Sequence, residues 1–527
     1  MKESKRVIAA IVCVILLAVV AVIGLKPAPT VTETEETHEY NDSLIVWYTD
    51  EAMTDYLNAM AVEFHENGGM RVLPRLHGSS EYIESVYKAS IDRDGAPDVY
   101  ILSNDALEKA YLSGCARAVD EEGKTLNSSD FSQTAINSVT YNGHKVAYPY
   151  YFETCALLYN KTYLREMITN KVLAENVKEP DEGQDDGGET AEGEDAETTE
   201  ETEVVPPEGT AEFTEYIEKK IEESIPQTFD ELMAFADGYD APEKVEGMFK
   251  WDVRDVFFNY FFIGNYINIG GACGDDANTM DVYNMDAIKA MTLFQSLNSF
   301  FAFESSDVTY DQVVEEFKEG KLVFATATSD IIGRLKEAKE AGEFEYEYGL
   351  AMIPDISDEM ESRSLSVTET VVVNGFTDKA KEAEEFARFL TVTHADSLYE
   401  RTGKLPVKNG AIGAGSDGDE ETAAALKAFA DEYTYSVPMP KLMTTSNYWL
   451  LLEDAFAGIW SGKDVSSTLK KLAETLQLQI TGQEVSLDYI TLPKEEQEVE
   501  YLDEDALSKE AKGEDEKSDD DKDKGKN

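Results

Sequence analysis

Short runs of β-branched and aromatic residues alternate with stretches whose apolar residues recur at helical spacing. No other feature constrains the fold as much. Leu44-Ile45-Val46-Trp47-Tyr48 reads as a buried strand, and Asp55–Glu66 follows with Tyr56, Leu57, Met60, Ala61 and Phe64 on one helical face. Arg71-Val72-Leu73 and Asp98–Leu102 read as further strands, with helices over Glu81–Ile91 and Ala106–Ser113. Strands and helices alternating at this length predict an α/β fold with a mostly parallel sheet. In such sheets ligands sit beyond the carboxyl ends of strands. That singles out Asp50 and Glu51 after the first strand and Asp105 after the third, all three also suited to helix capping.

The pattern resumes near Cys155. Leu157-Leu158-Tyr159, Leu322–Ala325, Tyr348–Ile353 and Ser366–Asn374 read as strands. Asp286–Phe300, Tyr310–Glu319, Ala380–Thr391 and Asn447–Gly458 read as helices, as does Ile225–Tyr239, where Thr228 and Glu231 have capping-box spacing.

The extremities read differently. Lys2, Lys5 and Arg6 precede Val7–Leu25, 19 residues without a charge. As a helix that run rises about 28 Å, close to the hydrocarbon thickness of a bilayer. The basic flank places the following chain outside the cell, whether the run is a cleaved signal peptide or a retained membrane anchor. Lys26–Asp42 reads as a stalk. Val177–Glu215 carries sixteen acids and one lysine, with almost no large apolar residue before Val204, so a disordered insertion is expected over 170–215. The last residues, 491–527, are similarly acidic and expected to be disordered. The net charge of -60 excludes nucleic acid as a partner, because phosphate binding needs basic patches. Four cysteines without a CxxC pair and five scattered histidines indicate neither a disulfide framework nor a zinc site, and no cofactor motif is present.

Tyr141-Asn142-Gly143-His144-Lys145-Val146-Ala147-Tyr148-Pro149, then Glu153 and Leu157-Leu158-Tyr159-Asn160-Lys161, carry a resemblance. With Leu44–Tyr48, Gly95-Ala96-Pro97-Asp98, Pro226–Leu232, Phe317–Ala325 and Asn447–Ser461 in order, the chain resembles family 1 extracellular solute-binding proteins of the maltose/maltodextrin-binding type over Leu44–Ile490. The resemblance implies a two-lobed periplasmic-binding-protein fold with a hinge. One lobe is expected from 44–151 and 368–408, the other from 152–367 and 409–490.

It also implies a non-enzymatic, monomeric receptor without a cofactor. The receptor is expected to hold a sugar, an oligosaccharide such as a maltodextrin, at the outer face of the bacterial cytoplasmic membrane. It would hand that sugar to the permease subunits of an ABC importer. A non-sugar ligand such as a polyamine or peptide, and a capture or sensing role without transport, stay open.

By resemblance, Glu153 is the ligand-binding carboxylate at the hinge, Trp449 a stacking ring with Tyr448 beside it, and Asp105 a carboxylate for sugar hydroxyls. Sugars are held by such means: rings against pyranose faces and carboxylates against hydroxyls. Leu102 and Asp330 stand where the maltose-binding type has stacking tryptophans, and Asp50-Glu51 where it has an Asp-Lys pair, so stacking surface is lost and acid gained. Trp251 and Arg254, in the aromatic-rich stretch Trp251–Tyr266, are the expected replacement contacts from the second lobe.

Overall fold

The computed structural model describes residues 42–93, 95–120, 122–177, 205–301, 308–413, 420–443 and 447–493. Its fifteen described strands run in chain order. They are β1 (Ser43–Tyr48), β2 (Arg71–Leu76), β3 (Val99–Ser103), β4 (Thr140–Tyr141), β5 (His144–Lys145), β6 (Tyr148–Glu153), β7 (Cys155–Asn160) and β8 (Gly247–Lys250). Then follow β9 (Asn268–Ile269), β10 (Met280–Asp281), β11 (Leu322–Thr328), β12 (Tyr348–Ala351), β13 (Leu365–Val373), β14 (Leu405–Pro406) and β15 (Val437–Pro438).

Two sheets organise the molecule into two lobes. The first has the order β14-β6-β13-β3-β1-β2, with β15 beside β13, and the second the order β12-β7-β11-β8. In the first, β1 lies parallel to β2 and β3, joined by the helices Thr54–Glu66 and Tyr82–Asp92, while β13 runs antiparallel to β3 and β6. The early run of alternating elements therefore makes the parallel part, and strands returning from the far end of the chain close it. One apolar cluster fills the first lobe and continues over one face of the second sheet, at Ala156, Leu158 and Ala325, and a second cluster covers that sheet's other face, at Leu157, Tyr159 and Phe324.

The turn joining β4 to β5 has Asn142 at φ 47° and Gly143 at φ 77°. A two-residue hairpin demands two left-handed residues there, and Asn-Gly supplies them at least cost. Thr228 caps the helix Phe229–Gly238 by accepting the Glu231 N–H at 3.1 Å, and Glu231 returns to the Gln227 N–H at 2.7 Å.

The chain passes between the lobes at three places. A single residue, Thr154, separates β6 from β7, and its hydroxyl donates to the Leu365 carbonyl at 2.9 Å. The second passage enters β13 at Leu365. The third leaves β14 for the helix Glu420–Tyr435, which packs against β7 and β12 of the second sheet, returns to β15 beside Leu365 and Ser366, and then enters the second lobe at the helix Tyr448–Trp460. Thr154, Ser364, Ser366, Thr368, Glu432 and Ser436 are buried around these crossings. Glu432 accepts the Ile353 N–H at 3.0 Å and the Ser364 hydroxyl.

The acidic insertion is narrower than its composition suggested. The helices Lys161–Val177 and Ala211–Glu223 enter it from both sides, and residues 178–204 lie outside the described residues. The second helix has few apolar residues, but they fall at a spacing of four. Phe213, Ile217 and Ile221 are buried, Thr210 caps the helix, and Glu218 pairs with Lys161 at 2.7 Å and with Arg165. Replacing 178–204 with a short Gly/Ser linker is therefore expected to leave the melting transition unchanged, since loop length is tolerated. Extending the deletion through Glu215 removes Thr210 and Phe213 and should lower the transition by several degrees. Calorimetric melts of both deletions check this, and equal melts would contradict it.

The N-terminal apolar run, the stalk up to 41 and the tail from 494 onward lie outside the described residues. Among the described residues no helix is long and apolar enough to cross a membrane.

Candidate functional site

Strand register builds the site. β6 and β13 are antiparallel, with Glu153 opposite Val367 and Tyr151 opposite Glu369, while Glu369 also faces Ser103 at the end of β3. Alternate residues share a sheet face and cross-strand partners point the same way. Tyr151, Glu153, Val367, Glu369 and Ser103 thus lie on one face.

Leu405 pairs with Phe152, so continuing the register sets Lys404 opposite Glu153. Thr328 pairs with Cys155, so the second lobe likewise brings Asp330 beside Glu153. Asp50 and Asp105 follow the carboxyl ends of β1 and β3. The site lies where the chain crosses between sheets.

Its polar groups have distinct partners. Lys404 pairs with Asp50 at 2.8 Å, and its Nζ stands 5.6 Å from the Tyr151 ring centre. Asp50 also caps its turn, accepting the Ala52 N–H at 3.0 Å. Asp330 accepts the Tyr310 hydroxyl at 2.7 Å and the Thr328 hydroxyl at 2.5 Å, and Arg334 lies 3.4 Å away.

Burial raises the Glu153 carboxyl above the usual range, partly offset by Lys404 and reinforced by Asp330 and Asp50. Glu369 is pushed up to about 7, first by burial, then by Asp105, with Lys404 opposing and Asp50 and Glu153 adding. Glu432 at the crossing is also raised to about 7 by burial.

A carboxyl raised from 4.5 to about 7 holds its proton longer in the folded chain than in the unfolded one. Its favourable contribution is complete below the unfolded value and is lost as pH rises through 7. Glu369→Gln is therefore expected to raise the melting temperature at pH 8 and to change it little at pH 4.5, with a gain of at most about 3 kcal/mol. Melts of both proteins across that range measure the difference, and a variant less stable than wild type at pH 8 would contradict the assignment.

The structure brings Asp50, Asp105, Glu153 and Asp330 together and adds two residues sequence reasoning missed, Glu369 and Lys404. Glu51, beside Asp50, is exposed. Arg254 is exposed on a loop whose Asp252 accepts the Tyr310 N–H at 3.1 Å, one residue removed from the Asp330 contact.

Trp251 and Tyr448 require correction. Each is 0 % exposed within the second core. Trp251 stacks on Phe249 at 4.9 Å, meets Trp460 edge-on at 5.4 Å, and donates its indole N–H to Asn259 at 2.8 Å. Tyr448 lies on the inner face of the helix Tyr448–Trp460, and neither ring is open to a ligand here. Aromatic density identified the region but not which rings face inward.

Trp449 is partly buried, with its ring 6.1 Å from that of Tyr260. The chain reaches it from beside the first lobe, where Asn104 donates to the Met439 carbonyl at 2.9 Å and the Met443 N–H to Glu108. A separate recess of about 390 Å³, lined in part by Tyr260, Asn265, Arg363 and Asn137, also lies between the lobes.

Two α/β lobes joined by three crossings, with polar groups gathered at the crossings, define a solute-binding fold. Residues 59–411 match the family model described as bacterial extracellular solute-binding protein, and the chain belongs to that family. The maltodextrin-binding protein MdxE of Bacillus subtilis (strain 168) is 22% identical over 264 residues, a match spanning 48% of this chain and 61% of that protein. The maltotriose-binding protein of Pyrococcus abyssi (strain GE5 / Orsay) is 30% identical over 84 residues, 16% of this chain and 18% of that one.

Among solved structures, a cyclo/maltodextrin-binding protein complexed with maltotetraose superposes with a TM-score of 0.63 at 18% identity, covering 84% of this chain and 98% of that chain. The extracellular solute-binding protein of Staphylococcus aureus in complex with maltose gives 0.62 at 16% identity, covering 84% and 98%. These likenesses establish the two-lobed fold.

Proposed function

We propose that the chain is a sugar receptor, holding an oligosaccharide between its lobes and delivering it to the permease of an ABC importer. The observation that carries the reading is the ring of ligand-accessible polar groups, Tyr151, Glu153, Glu369, Asp50 and Asp330, at the crossings of a fold whose relatives include maltodextrin- and maltotriose-binding proteins. Carboxylates accept sugar hydroxyls, Trp449 offers a pyranose face, and the crossings allow the lobes to close on the ligand. In this reading Val7–Leu25 holds the receptor at the outer face of the cytoplasmic membrane, which recovery of the chain in the membrane fraction would support. A mature N-terminus between Gly24 and Thr30 would contradict the anchor.

A ligand bound only by the folded chain raises its apparent stability, by about 2.7 kcal/mol at a hundredfold excess over Kd. A thermal-shift screen of the full chain over mono- and oligosaccharides, with polyamines and peptides alongside, tests the reading. A rise with an oligosaccharide is expected. A rise with polyamines or peptides and none with any sugar would overturn it.

A further inference from the structure

The cleft gathers more carboxyl groups than its basic side chains answer. Asp50, Asp105, Glu153, Asp330 and Glu369 act on one another there, against Lys404 and Arg334. Lys404 is committed to Asp50, and Arg334 is shared between Asp330 and Asp311, the latter at 2.9 Å. The Glu153 and Glu369 carboxyls accept no hydrogen bond and form no ion pair among the described residues.

A second observation is independent of the carboxylates. Tyr151 is 7% exposed, yet its hydroxyl has no hydrogen-bond partner among the described residues. It stands where Glu369, Asp50 and Glu153 all act on it. The ring is buried while the hydroxyl keeps an open edge at this point, where a ligand can reach it. The acids are also dispersed: among the described residues no three converge closely enough to hold a metal ion. The arrangement suits an extended organic cation better than a point charge.

A partly buried carboxylate without a counter-charge is costly, and Glu153 and Glu369 meet that cost by holding their protons to higher pH, a state that neutral hydroxyls leave unchanged. An ammonium supplies both the donors and the charge. We propose that the preferred ligand is an oligosaccharide carrying protonated amino groups, with an ammonium seated between Glu153 and Glu369 and within reach of the Tyr151 hydroxyl. This rests on the reading of the cleft as a sugar site and narrows it to a cationic sugar.

Calorimetric titrations of the full chain with the trisaccharide of glucosamine, its fully N-acetylated counterpart, maltotriose and spermidine separate the two claims. Acetylation keeps the sugar frame and removes the charge. The amino trisaccharide is expected to bind at least tenfold more tightly than the acetylated form or maltotriose, and Glu369→Gln is expected to reduce that ratio about tenfold. Equal or tighter binding of a neutral sugar overturns the inference while leaving the sugar reading intact. Binding of spermidine and of none of the three sugars counts against both, and binding of none of the four overturns the inference and returns the sugar reading to the wider screen. A preference for the amino sugar that Glu369→Gln does not change overturns its placement between Glu153 and Glu369.

Discussion

Trp251→Ala is expected to destabilise the second lobe by roughly 3–5 kcal/mol, the range for removing a large aromatic from a packed core. Its ring contacts Phe249, Phe262 and Trp460 at centroid distances of 4.9, 6.2 and 5.4 Å. The substitution also leaves the Asn259 side chain, itself buried, without its indole donor. Phenylalanine should recover part of the packing but not the hydrogen bond, so Trp251→Phe should fall between the two. Denaturant melts give the values. A Trp251→Ala protein with near-normal stability and lost ligand affinity would mean that this ring serves the ligand after all.

The second large effect is expected at Trp449. If its exposed edge carries a pyranose ring, Trp449→Ala weakens sugar binding by about 2–4 kcal/mol, the scale of an aromatic anchor at a binding site. The unliganded melting temperature should fall little, because part of the ring is open. Glu153→Gln should weaken binding by roughly 1.5–3 kcal/mol, the scale of hydrogen bonds to a charged group. The comparison is Leu452→Ala on the same helix. Leu452 is fully buried, so its loss should cost about 2–5 kcal/mol of stability. Paired melts and titrations separate the positions. Unfolding by Trp449→Ala with unchanged affinity in the folded fraction would make Trp449 a core residue.

Much of the architecture is legible in the sequence because it is written locally. The β-branched runs at Leu44–Tyr48 and Leu322–Ala325, the Asn142-Gly143 turn and the Thr228–Glu231 cap each follow from residues within one element of each other. The site is less legible because register across the two sheets assembles it. Glu369 stands opposite Tyr151 although 218 positions separate them, and Lys404 approaches from a strand of two residues.

A signal for Glu369 existed nonetheless. A lone carboxylate inside the β-branched run Ser366–Asn374 requires a reason for being there, by the same argument that singled out Glu153. Trp251 and Tyr448 show the opposite failure, in which residue type suggested a role that helix face and core packing deny. The helix Ala211–Glu223 failed for a third reason: three apolar residues at the right spacing suffice when a neighbouring helix covers them.

The most direct test of a sugar site at the crossings is a crystal structure of the chain with its tightest oligosaccharide from the screen. Sugar density is expected between Tyr151, Glu153 and Glu369 of one lobe and Asp330 of the other, with Trp449 along one ring. Density confined to the recess lined by Tyr260, Asn265 and Arg363, with the carboxylate face empty, would contradict it.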